Sequence, residues 1–146
     1  MLTINLWCAI AVAPSGSSVE KKEPPYQKQL PLLSQRADKA LGECLSLMRV
    51  RAGKSSAYDR KTARNRVNTL ESYVRQMNRL THHKRFTLVH RSLVTDYTAA
   101  LVVMRGALAT NESYSSSAGL SLYLEYVVPK LRKSKAAYSG MQEGPD

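Results

Sequence analysis

Residues 86–108 read FTLVHRSLVTDYTAALVVMRGAL, and the spacing of their apolar side chains decides the fold class. Phe86, Val89, Leu93, Tyr97, Ala100, Met104 and Ala107 recur at three- and four-residue steps, with Val94, Leu101 and Leu108 widening the stripe. Such steps gather on one face of an α-helix, whereas a strand requires alternation by two. Gly106, Thr110 and Asn111 mark where the helix weakens.

The preceding segment repeats the pattern. Ser55-Ser56 is a capping pair, Asp59 lies three residues past Ser56, and no Gly or Pro interrupts the chain from there to Arg85. On a helical wheel Ala63, Val67, Leu70, Val74 and Met77 form one face. Arg60, Lys61, Arg64, Asn68, Arg75, Asn78 and Arg79 spread over about a quarter turn well away from it. Glu71 falls inside this basic strip and is spaced to pair with Arg75 at i,i+4. Arg91 and Arg105, on the third helix, are assigned outside the strip.

A further helix is predicted from Leu30, with Pro31 in its first turn. Leu33, Ala37, Ala40, Leu41, Cys44, Leu45 and Met48 form its stripe, and Gly53 its C-terminal cap. After Ser115-Ser116-Ser117, the residues Leu120, Leu122 and Leu124 alternate with Ser121, Tyr123 and Glu125 as a strand would. A lone strand among helices has no partner for its backbone, so a helix is preferred over 118–128, kinked or ended by Pro129. The expected fold is all-α, a small bundle of three to four helices over residues 30–137. An extended apolar N-terminal arm precedes it, and a frayed basic C-terminal tail follows, with 138–146 disordered.

The arm and linker occupy residues 1–29. Met1 to Ala13 is largely apolar, and Ala11-Val12-Ala13 has the small-residue form of a signal-peptidase site. No Lys or Arg precedes the apolar run, and Pro14 follows the cut, so an arm packing on the domain or on a partner is the preferred reading. The linker, Pro14 through Gln29, is rich in Pro, Ser, Gly and Lys.

Composition narrows the function classes. The 146 residues carry Lys+Arg 22 against Asp+Glu 11, a formal net charge of +11. Twelve of the basic residues lie between Arg49 and Arg91, against Asp59 and Glu71 alone, and the rest of the chain is nearly balanced. A solvated face usually mixes signs, so this bias reads as a surface for a polyanion. No apolar run reaches the roughly 18 residues of a bilayer span. Two cysteines, Cys8 and Cys44, cannot build a disulfide scaffold or a four-cysteine zinc site.

Catalytic signatures are missing from the sequence. Gly53-Lys54-Ser55 matches the end of a phosphate-binding loop, but the earlier glycine that the loop needs is Met48. His82, His83 and His90 have no acidic or cysteine neighbour at ligand spacing, and are read as solvated loop residues. Cys44 sits on an apolar stripe, and no nucleophile elbow occurs. No enzyme, metal or cofactor is expected.

The expected function is non-enzymatic nucleic-acid binding, with RNA favoured and a duplex the natural target of a helical surface, by shape and phosphate contacts. The residues expected to carry it are Arg60, Lys61, Arg64, Asn68, Arg75, Arg79, Lys84 and Arg85. The alternative is a non-catalytic subunit of a larger assembly, a ribonucleoprotein or an organellar complex, docked through its arm and termini. Protein partners are expected through residues 1–13, a homodimer is a further option, and the expected location is intracellular, with the cytoplasm favoured.

Overall fold

The computed structural model of the chain describes residues 25–52, 59–109 and 121–142. Among the described residues every regular element is helical: α1 (Tyr26–Ala52), α2 (Arg60–Asn78), α3 (Thr87–Ala109) and α4 (Val128–Gln142). A 3₁₀ turn, Lys84–Phe86, leads into α3, and a π-helical turn, Tyr123–Val127, leads into α4. The arm, most of the linker, Gly53, Ser55-Ser56 and residues 143–146 lie outside the described residues.

The helices pack in chain order, α1 on α2, α2 on α3 and α3 on α4, and α1 touches α3 only slightly across the diagonal. The start of α2 meets the end of α3, where Arg60 donates to the Leu108 carbonyl at 3.1 Å, so these neighbours run antiparallel. All five predicted stripe residues of α2 are buried, as are Leu93, Tyr97, Ala100, Leu101, Met104 and Ala107 of α3. On α1 the predicted residues are buried except Leu45, which is half-buried at the core's edge. No helix among the described residues is long and apolar enough to cross a membrane.

The starts of α1 and α2 differ from the sequence expectation. Helix α1 begins at Tyr26, before Leu30, because the Pro25 carbonyl accepts from the Lys28 and Gln29 amides at 2.8 and 3.1 Å. Pro31 is therefore interior, and its missing N–H leaves the Gln27 carbonyl without its helical donor. Gln142 Nε2 donates to that same carbonyl at 3.3 Å. The end of α4 thus repairs the start of α1, and residues 138–142, expected in the tail, are helical, with Tyr138 buried. Helix α2 is capped by Asp59, whose carboxylate accepts from the Lys61 amide at 2.9 Å and from the Thr62 hydroxyl.

Helix α2 also stops earlier than expected, at Asn78, without a Gly or Pro to stop it. His82 Nδ1 donates to the Leu80 carbonyl at 3.1 Å, and His83 Nδ1 accepts from the Arg85 amide, so local side-chain bonds replace the helical ladder. Further along, Pro129 neither ends nor breaks the last helix. Its ring would crowd the Glu125 carbonyl one turn back, and the chain widens there into the π turn Tyr123–Val127.

A polar knot ties three helices at mid-height. Tyr97 is fully buried, and its hydroxyl donates to the Asp38 carboxylate at 2.7 Å while accepting from the Ser34 hydroxyl at 2.7 Å. Lys135 of α4 closes on the same carboxylate, its ammonium 5.5 Å from the centre of the Tyr97 ring. Burial, and the carboxylate beside it, push the Tyr97 hydroxyl's pKa far up, so it stays a donor.

Replacing Leu93 with Ala is expected to cost on the order of 2–4 kcal/mol through transfer and cavity terms. Tyr97→Phe is expected to cost about 1–3 kcal/mol, because it strips the carboxylate of a charge-assisted donor while keeping the ring. Urea melts of the two variants against the parent check both values.

Candidate nucleic-acid interface

The basic strip of α2 runs along its α3 edge. Arg60, Arg64 and Asn68 lie at one-turn steps and line a cleft of about 260 Å³ whose far wall is Arg105, Leu108 and Ala109 of α3. One turn on, Glu71 pairs with Arg75 at 2.7 Å, as the spacing predicts, and also binds Arg105 from across the interface. The hydrogen bond from Arg105, and then the charges of Arg105 and Arg75, hold the Glu71 carboxyl below its usual range.

Arg105 is the correction here. Expected outside the strip, it belongs to it, since helical spacing assigns a face to each helix but not the edge on which two helices meet. The usable signal was Leu108: it widens the α3 stripe on one side, and Arg105, three residues earlier, lies on that side.

The other expected site residues divide into two groups. Lys61 on α2 and Arg79 at its C-cap are exposed, as are Lys84 and Arg85 on the 3₁₀ turn, with the Arg85 guanidinium 4.8 Å from the centre of the Phe86 ring. The cleft therefore brings together Arg60, Arg64 and Asn68; Arg75 is neighbouring but neutralised by Glu71, and the turn adds its charges beyond the end of α2. Arg66, on the opposite edge, pairs with Glu43 of α1 at 3.1 Å. Among the described residues no group of three or more His, Cys, Asp or Glu could hold a metal ion.

The histidines are not simply solvated. His90 is 5% exposed and stacks on His82 with ring centroids 4.3 Å apart, and only His83 is exposed. Tyr26 Oη lies 2.9 Å from His90 Nδ1, and the Tyr26 ring packs on Phe86 at 5.4 Å and edge-on to Tyr138 at 6.1 Å. The sequence does not bring His82 and His90 together, because they are joined by the turn between α2 and α3, which has no sequence period.

No family model, curated protein or solved structure matches the chain.

Burial, and then the charge of His82, hold the His90 imidazole below its usual range. The unfolded chain takes up this proton near pH 6.5 while the folded chain resists it. The stability linked to His90 is thus full above that pH and is lost as the pH falls below it. Thermal melts between pH 7.5 and 5 should show a falling Tm, and His90→Phe should flatten that fall. An unchanged slope would assign the effect to other groups.

Proposed function

We propose that the protein is a non-enzymatic nucleic-acid-binding module that holds RNA by its phosphates, along the α2 edge formed by Arg60, Arg64 and Asn68, with Arg105 held at its rim by Glu71. The observation that carries this reading is the meeting of Arg60 and Arg64 of α2 with Arg105 of α3 on one cleft, within a chain of net charge +11, Glu71 binding Arg105 at the cleft's end. Guanidinium groups suit phosphate because their donors fork in a plane, and such contacts position a protein without reading bases. Lys61, Arg79, Lys84 and Arg85 extend the field along the strip. The reading implies an intracellular location, in the cytoplasm.

A second reading, as a non-catalytic subunit of a larger assembly, draws on a different observation. Leu122, Leu124 and Tyr126 are 52%, 44% and 60% exposed along the π turn and the residues before it, more apolar surface than a solvated turn needs. Size-exclusion chromatography of the purified chain with and without nuclease separates the two: nuclease releases the RNA of the first reading and leaves a protein assembly of the second intact.

Fluorescence anisotropy with an RNA of arbitrary sequence tests the interface. Arg64→Ala should weaken binding more than Arg75→Ala, since Glu71 already occupies Arg75. The slope of log affinity against log salt should become shallower by about one unit for Arg64→Ala. Glu71→Gln removes the competing carboxylate and should tighten binding. Equal losses for Arg64→Ala and Arg75→Ala, with no effect of Glu71→Gln, would leave only net charge and dismiss the cleft.

A further inference from the structure

A second groove, rimmed by cations, lies on the other side of α3. Arg91, Ser92 and Thr95 of α3 face Lys130 and Lys133 of α4 across a groove of about 470 Å³, which Leu88, Val89 and Ala137 also line. Arg91, Ser92, Thr95, Lys130 and Lys133 are exposed. Asp96, which lines the same groove, accepts from the Ser134 hydroxyl at 2.5 Å and is tied to α4. Among the described residues no ion pair engages Arg91, Lys130 or Lys133.

The two cationic surfaces are placed by the packing order. Helix α3 sits between α2 and α4, so its outward face is flanked by the α2 arginines with Arg105 on one side and by Lys130, Lys133 and Arg91 on the other. Packed helices lie 8–10 Å apart, and α2 and α4 face each other across the second diagonal, which sets their axes roughly 11–14 Å apart. Between them the exposed face of α3 presents low side chains, Thr98, Ala99 and Gly106, with Val102 62% exposed among them and Leu88 75% exposed toward its start. A single strand offers one line of phosphates and can follow one ridge. A duplex offers two, and the A-form minor groove between them is wide and shallow enough to take a flat helical face.

We infer that the α3–α4 groove is a second phosphate-contact surface, which together with the α2 edge makes the protein a binder of duplex rather than single-stranded RNA. The inference rests on the reading of the α2 edge given above. One strand's phosphates lie on Arg60 and Arg64 of α2, the other strand's on Lys130, Lys133 and Arg91, and the outer face of α3 spans the groove between them. The surface recognises shape and charge, so the duplex's sequence is immaterial.

Anisotropy titrations of the full chain with a 24-base-pair RNA duplex of arbitrary sequence (on the order of one and a half dsRNA-binding-domain footprints), and with each of its separated strands, test this. Lys130→Ala with Lys133→Ala should weaken duplex binding on the order of tenfold and make its salt slope shallower by about two units. Binding of the single strands should stay within about twofold, because they use the α2 edge alone. Lys28→Ala with Lys39→Ala, exposed positions on α1 across the diagonal, carries the same charge change and should leave the duplex preference intact. Circular dichroism melts confirm that each variant folds like the parent. Equal weakening of duplex and strand by the α4 pair overturns the inference, since only net charge then matters. Unchanged duplex binding by the α4 pair, with Arg64→Ala still impaired, also overturns it and leaves the α2 reading standing, with Lys130 and Lys133 facing solvent or a protein. A parent chain that binds neither RNA at low salt removes both.

Discussion

The Tyr97 hydroxyl is the group around which the bundle is arranged. An aromatic ring of that size fills the centre of the core, but its oxygen cannot be left there unpaired without a cost of about 1–3 kcal/mol. Its partners come from outside its own helix: Ser34 and Asp38 from α1. The Asp38 carboxylate, still partly open to solvent, also takes the ammonium of Lys135 from α4. One buried oxygen therefore fixes the heights of α1, α3 and α4 against one another, and apolar packing along the stripes fills in around that register.

Helix α2 stands outside this knot and is held differently, by its apolar face and by charge at its rims. Arg66 reaches Glu43 on one side, and Glu71 reaches Arg105 on the other. The rim pairs are exposed, so each contributes modestly to stability. Their larger effect is on the field: Glu71 engages the exposed Arg75 and Arg105, while Arg64 and Asn68 line the cleft. The same carboxylate that aligns two helices thus decides which arginines remain available to a polyanion.

The stripes of α1, α2 and α3 were legible in the sequence because burial on a helix leaves a 3.6-residue period, and residues such as Ala63, Val67, Leu70, Val74 and Met77 obey it without exception. Ends were harder to read. Pro31 looks like a first-turn proline until Gln142, over a hundred residues away, satisfies the carbonyl it strands. The end of α2 depends on imidazoles bonding to nearby backbone, which no periodicity records. The basic strip was legible as a strip, and its Glu71–Arg75 pair as a spacing. Arg105 was not, because which edges of two helices touch is a property of their packing, as is the contact between His82 and His90.

The repair of Pro31 by Gln142 has a topological consequence. It seats the first turn of α1 against the last turn of α4, with Tyr26 and Tyr138 in ring contact beside it, so the domain begins and finishes at one pole. A short peptide could join residue 142 to residue 25 with little distortion, and the chain could then be opened elsewhere as a circular permutant. Any fused domain, whether placed before or after the bundle, would emerge from that same pole, beside the turn that carries Lys84 and Arg85.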